Sequence, residues 1–213
     1  MSAVRPRILI TSFEPFGGSP VNPTIEIARI LASTPCTLGS RAFVTLPVVT
    51  GTDSGSAWDR LAPFLDELAP DAVVSLGENA HADRIHFERV AINLRDARIA
   101  DNAGVQLADT PVVHGAPDAY FARLPLREMH AACASAGVPA AFSLSAGAFL
   151  CNELMFRLLD AGNPTLCGFI HVPQLPEQAA ERGGPAMDAA TSARGIQAAL
   201  EVLAARIATG VLA

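Results

Sequence analysis

The chain has no long hydrophobic run. Across its 213 residues, the apolar stretches are short and interrupted. None approaches the roughly 20 apolar residues that a bilayer-spanning helix needs, so no membrane partner is expected. The opening MSAVRPRILITSFEPFGG lacks an apolar block with a small-residue cleavage site, and its Ile8–Ile10 run reads as a strand. A basic cluster is also missing, and the net charge of −6 argues against nucleic acid. The four cysteines, Cys36, Cys133, Cys151 and Cys167, form no CxxC pair and no His/Cys ligand spacing, so no metal site is expected. Without a secretory signal, they are expected to be free thiols in a reducing cytoplasm. Neither GxGxxG nor GxxxxGK[ST] occurs, which excludes the usual nucleotide cofactors. Charged residues make up only 17% of the chain and hydrophobic ones half, a globular rather than disordered composition. No repeat or linker interrupts it, so residues 1–213 are expected to form one domain.

What is present is strand–helix alternation. Arg7–Thr11, Ala42–Val49, Ala72–Leu76, Ala140–Leu144 and Cys167–Val172 read as strands. Helical patterns begin at Pro23 or Thr24, after a capping Asp53, over Pro125–Ala136, after Ser145–Gly147, and over Pro185–Thr209. The segment Pro173–Gly184 reads as a loop rich in Pro, Gly and Gln. The helical pattern lapses over residues 86–116, where some antiparallel pairing is expected. Together these features predict an α/β fold, a three-layer α/β/α sandwich around a mixed, mostly parallel central sheet.

The stretch Ala140–Asp160, AAFSLSAGAFLCNELMFRLLD, carries the chemistry. It reads as strand, tight turn and helix, with Cys151 near the helix start. There a thiol meets unpaired backbone N–H groups and the positive end of the helix dipole, both of which favour the nucleophilic thiolate. His171 ends a predicted strand, where α/β sheets bind ligands. Glu88 follows an earlier predicted strand. Alternation puts it on one face with Val90 and Ile92, a carboxylate among apolar neighbours that needs a partner. Cysteine, histidine and carboxylate suffice for acyl transfer. The loop Ser12–Pro23 holds Phe13 and Phe16, either as plugs for the sheet end or as an aromatic wall for a small flat ligand.

The wording of four blocks goes further. FEPFGG with VNP, ERVAIN with DARIADN, SAGAFLCN, and GFIHVP with LPEQ run in order from about Ile8 to Gln178. They resemble the pyroglutamyl-peptidase I (pyrrolidone-carboxylate peptidase) family. That resemblance implies a cofactor-free cysteine exopeptidase that removes N-terminal pyroglutamate (5-oxoproline) from peptides through a thioester acyl-enzyme. It implies Cys151, His171 and Glu88 as the catalytic set, and a cytoplasmic homotetramer. It places Phe13, Phe16, Glu78, Ile99, Phe149 and Leu150 in substrate binding and Arg98 in electrostatic support. Backbone N–H groups around Leu150 and Cys151 are further candidates for an oxyanion hole. A relative with shifted specificity for another cyclic or acylated N-terminus, or a catalytically silent binding protein, are the alternatives.

One segment departs from the family pattern. Where the family reads G-Q-A-G-G-R, this chain has Gly77, Glu78, Asn79, Ala80, His81 and Ala82. The family glutamine is associated with ring recognition. Glu78, if ionised, can only accept hydrogen bonds. It would then need a cation, and Arg84, Arg98 and His81 are the expected partners.

Overall fold

The computed structural model describes residues 5–162 and 166–210. Within them, β1 (Arg7–Phe13), β2 (Ser40–Leu46), β3 (Ala72–Glu78), β4 (Ile85–Glu88), β7 (Ala140–Ser143) and β8 (Leu166–Val172) form one sheet in the order β2-β1-β3-β8-β4-β7. The first four in that order are parallel; β4 runs antiparallel to β8, and β7 is parallel to β4. A second, two-stranded sheet pairs β5 (Val90–Ile92) with β6 (Ala119–Phe121) antiparallel. The sheet is therefore mixed and mostly parallel, as the alternation predicts.

Strands β1, β3 and β8 are buried on both faces. This explains their near-continuous apolar runs, since crossover helices cover both sides of a parallel sheet. One face packs Ile8, Ile10, Val74, Leu76, Ile170 and Val172 against α1 (Pro23–Ser33), α3 (Leu126–Ser135) and α6 (Ala189–Thr209). The other packs Leu9, Val73, Cys167 and Phe169 against α2 (Ala57–Leu68) and α4 (Leu150–Ala161). Two helical layers thus enclose the sheet.

Four local expectations are corrected. Helix α2 is capped by Ser56, whose Oγ accepts from the Asp59 N–H at 3.1 Å; Asp53 lies a turn too early. Pro173–Gly184 is not all loop, because Pro176–Arg182 forms α5 with proline in its first turn. Helix α6 starts at Ala189, where Asp188 accepts from the Thr191 N–H, rather than at Pro185. The alternation through residues 86–92 also breaks. Phe87 and Ala91 are buried but Arg89 is exposed, because the chain leaves the main sheet after Glu88 and joins the small one at Val90. Glu88 therefore does not share a face with Val90 and Ile92.

Candidate active site

Helix α4 opens directly after the turn that Gly147 makes with φ +80°. Its N-cap, Phe149, offers no side-chain hydrogen bond to the first turn. The leading backbone N–H groups are thus left for another acceptor, and the helix dipole places partial positive charge there. Cys151 is the second residue of this turn and only partly buried. The next residue anchors it. Asn152 is fully buried, accepts from the Ile92 N–H at 2.9 Å, and donates to the Ile92 and Leu94 carbonyls at 2.8 and 3.0 Å. Beneath the sulfur lies Gly77 of β3. A Cβ built there would come within 2.9 Å of Cys151 Sγ and 2.6 Å of the Phe169 ring. Glycine leaves the room the sulfur occupies.

His171 sits one residue before the end of β8, in register with Gly77. Its Nδ1 lies 2.8 Å from Glu88 Oε1. Nδ1 being engaged, Nε2 is the ring nitrogen that remains for Cys151, and both residues line the same cleft. Glu88 does not come from the C-terminal edge of the parallel strands. Strand β4 is antiparallel, with His86 opposite His171. Continuing that register puts Glu88 beside Phe169, deeper than the histidine it holds. This depth explains why Glu88 is 0% and His171 6% exposed. Burial opposes charge on the imidazole. The attraction of the Cys151 sulfur and the hydrogen bond to Glu88 outweigh it and raise His171 to about 10, which favours its protonated form. Glu88 Oε2 is buried without a hydrogen-bond partner, so His171 is the one side chain hydrogen-bonded to this carboxylate among the described residues.

Two hollows meet at Cys151. The larger, a cleft of about 670 Å³, is lined by Phe16, Glu78, His81, Asp96, Arg98, Ile99, Phe149, Cys151, His171 and Arg182 among others. The smaller is mostly apolar, walled by Phe13, Phe16, Val48, Phe149 and Leu150, with Glu78 and Asn22 as its polar members. Every candidate binding residue from the sequence lines one or both. Phe13 is 3% exposed, stacks on Phe169 with ring centres 6.4 Å apart, and also borders the smaller hollow. Ile99 reaches over Gly17, and its loop is pinned by Asp101, whose carboxylate accepts from the Thr50, Ala103 and Val105 N–H groups. Arg98 is exposed on the cleft wall and makes no ion pair with Glu88 among the described residues.

Glu78 finds a partner that the sequence did not suggest. Its side chain is 2% exposed and pairs with Arg182 of α5, while Gln178 Nε2 donates to Oε2 at 3.2 Å. Arg84 is instead bound to Asp83. Arg182 lies 104 residues away in sequence, inside a stretch read as loop, and no local pattern signals it. Asn152 and Gly77 were within quoted motifs, but their packing roles appear only in three dimensions. Among the described residues no group of three or more His, Cys, Asp or Glu side chains could hold a metal ion.

Comparison with known proteins fits this geometry. A family model described as pyroglutamyl peptidase matches residues 6–206. The chain belongs to the pyroglutamyl peptidase family. It is 45% identical to a pyrrolidone-carboxylate peptidase of Gloeobacter violaceus over 92% of this chain and 96% of that one. It is 46% identical to one from Chromobacterium violaceum over 83% and 82%. The crystal structure of pyroglutamyl peptidase I from Bacillus amyloliquefaciens superposes with a TM-score of 0.88 at 31% identity, covering 94% of this chain and 96% of that one. A mutant pyrrolidone carboxyl peptidase from Pyrococcus furiosus gives 0.87 at 36%, over 94% and 99%. Family membership makes the chain a cysteine-type exopeptidase.

Proposed function

We propose that this peptidase removes pyroglutamate from peptide N-termini, with Cys151 as nucleophile, His171 as proton carrier and Glu88 as the carboxylate that orients it. The observation that carries the reading is a histidine bonded to the buried Glu88 and lining one cleft with Cys151, which stands at the start of a helix. Cys151 lies where an apolar hollow meets an open cleft. The pyroglutamyl ring is small, flat and uncharged, and the apolar walls of Phe13, Phe16 and Phe149 around the smaller hollow match it in polarity. The rest of the peptide then lies in the cleft.

The thiolate of Cys151 attacks the pyroglutamyl carbonyl carbon, forming a C–S bond and pushing an electron pair onto oxygen. Backbone N–H groups at the uncapped start of α4, those of Leu150 and Cys151, stabilise that oxyanion, with Arg98 adding positive charge to the cleft. His171 gives its Nε2 proton to the departing amine as the C–N bond breaks, leaving a thioester. Water then attacks the thioester, His171 takes its proton, and pyroglutamate and the thiolate are released. Glu88 holds the imidazole in the tautomer and orientation that both proton transfers need.

Self-association into a homotetramer and a cytoplasmic location belong to the same reading. Exposed Phe121, Phe142 and Leu144, on and beside the edge strand β7, support association; sedimentation velocity tests it. One observation favours a second reading: the charged Glu78–Arg182 pair at the ring pocket suits a relative with shifted specificity. A pyroglutamyl amide with a chromogenic leaving group, run beside prolyl and acetyl-alanyl amides, separates the two. Release from the pyroglutamyl amide alone supports the first reading. Release from only the others would overturn it.

A further inference from the structure

Resting on the pyroglutamyl reading, we propose that Arg182 is a specificity-determining partner of Glu78. The two form one recognition unit, in which Arg182 lets a carboxylate stand where a neutral amide would otherwise face the lactam ring.

Glu78 is the last residue of β3 and borders both hollows, so it lies beside any ring in the smaller one. Its side chain is 2% exposed. A carboxylate so enclosed is costly unless paired and hydrogen-bonded. Both conditions are met from α5. Arg182 Nη2 donates to Oε1 and Gln178 Nε2 to Oε2. Those two bonds leave each carboxylate oxygen further lone-pair capacity, and the ring N–H is a donor suited to it. Arg182 is itself fixed: its Nε donates to Gln174 Oε1 at 2.7 Å, and Gln174 is fully buried and bound to the Gly183 and Pro185 carbonyls. The side chain of Arg182 is 39% exposed and lines the cleft. The guanidinium therefore bridges solvent and the buried carboxylate. The other titratable groups bordering these hollows are His81, Asp96, Arg98, Cys151 and His171. None of them has a hydrogen bond or ion pair to Glu78 among the described residues.

If Arg182 is needed only because residue 78 is Glu, removing both charges should be harmless where removing one is not. In Arg182→Gln, Glu78 is enclosed without its cation. An enclosed carboxylate without a cation is costly to keep ionised. The protonated form can donate and accept as an amide does, and the ionised form is left uncompensated. KM for a pyroglutamyl amide should therefore rise with pH, reaching at least about tenfold above wild type near pH 9, the scale of a lost charged hydrogen bond. The kcat should change less, because the triad is untouched. In Glu78→Gln/Arg182→Gln, KM should return to within about threefold of wild type with no added pH slope, allowing for incomplete additivity at touching sites. Arg182→Lys should fall between, keeping the charge without the fork.

The experiment measures kcat and KM for wild type and these three variants from about pH 6 to 9, with thermal unfolding of each. The expected result is the pH-dependent KM in Arg182→Gln alone, rescued by the second substitution. If Arg182→Gln keeps the wild-type KM at every pH, or the double variant is no better than the single, the proposal is wrong. The second outcome would assign Arg182 to holding the Gln174 loop. If wild type releases no pyroglutamate at all, the underlying reading fails instead, and the two failures are distinguishable.

Discussion

Two carboxylate–cation pairs lie on neighbouring strands at the same end of the sheet, and they are built differently. Glu88–His171 spans β4 and β8, with side chains 1% and 7% exposed. Glu78–Arg182 joins β3 to α5, with 2% and 39%. Gly77 and Glu78 lie in register with His171 and Val172, so only a strand step separates the two. In the first pair the cation can lose its proton, and it faces a sulfur. In the second the cation is permanent and faces solvent. A titratable cation can carry protons, whereas a permanent one can only fix charge. The proposed reading gives chemistry to the first pair and recognition to the second, and it can be broken from either side.

The largest effect is expected at the atom the first pair serves. Cys151→Ala should lower kcat by more than about a thousandfold with the fold retained, since losing a nucleophile removes the covalent route. Cys151→Ser should be nearly as inactive, a hydroxyl being far less acidic than a thiol. Residual activity above about a hundredth of wild type in either would remove Cys151 from the nucleophile role.

Glu88→Gln comes next. The amide keeps the shape but loses the charge that stabilises protonated His171. Activity should fall on the order of a thousandfold, mostly in kcat, by analogy with other orienting carboxylates. The pH profile carries a sign. His171 is raised to about 10 in part by Glu88, so the alkaline fall in kcat/KM should lie near there in wild type. Without Glu88 it should move to lower pH. An unmoved alkaline limb would make Glu88 a packing residue.

Gly77→Ala tests the floor between the pairs. The added methyl would meet Sγ at 2.9 Å and the Phe169 ring at 2.6 Å. Overpacking of this kind costs about 1–3 kcal/mol of stability. A displaced nucleophile loses about a hundredfold in rate. Circular dichroism melts with kcat for the soluble variant would show whether the sulfur, rather than the fold, is what moves.

The comparison also explains what could be read from the sequence. The fold class was legible because β1, β3 and β8 are buried on both faces and so carry continuous apolar runs. Cys151 and His171 were legible because their local positions, a helix start and a strand end, are written in neighbouring residues. Glu88 was marked for the wrong geometric reason: the expected alternation fails at Arg89, where the chain changes sheets, and no local signal records that change. The antiparallel turn of β4 places Glu88 below the histidine, a matter of strand order rather than of pattern. The Glu78–Arg182 pair was beyond reach. Helix α5 has seven residues, too few for a helical period to show. Its arginine acts across a separation of 104 residues.

The smallest expected effect separates the pairs by salt. Screening acts on charges that water and ions can approach, over a Debye length of about 10 Å at 0.1 M and about 3 Å at 1 M. Glu88 is enclosed and His171 nearly so, so kcat should respond little to ionic strength. Arg182 is open on its outer side, but its partner carboxylate is enclosed, so only part of that interaction is screened. A pyroglutamyl amide with an uncharged leaving group carries no charge for salt to act on. Any salt effect on its KM must then arise in the protein. Raising NaCl from about 0.05 to about 0.5 M should increase KM by no more than about twofold, the scale of a partly exposed ion pair, at nearly constant kcat. The increase should vanish in Glu78→Gln/Arg182→Gln, which has no pair to screen. A kcat that falls with salt while KM holds would reverse the assignment, placing the solvent-accessible charge in the chemistry and the more enclosed pair outside it.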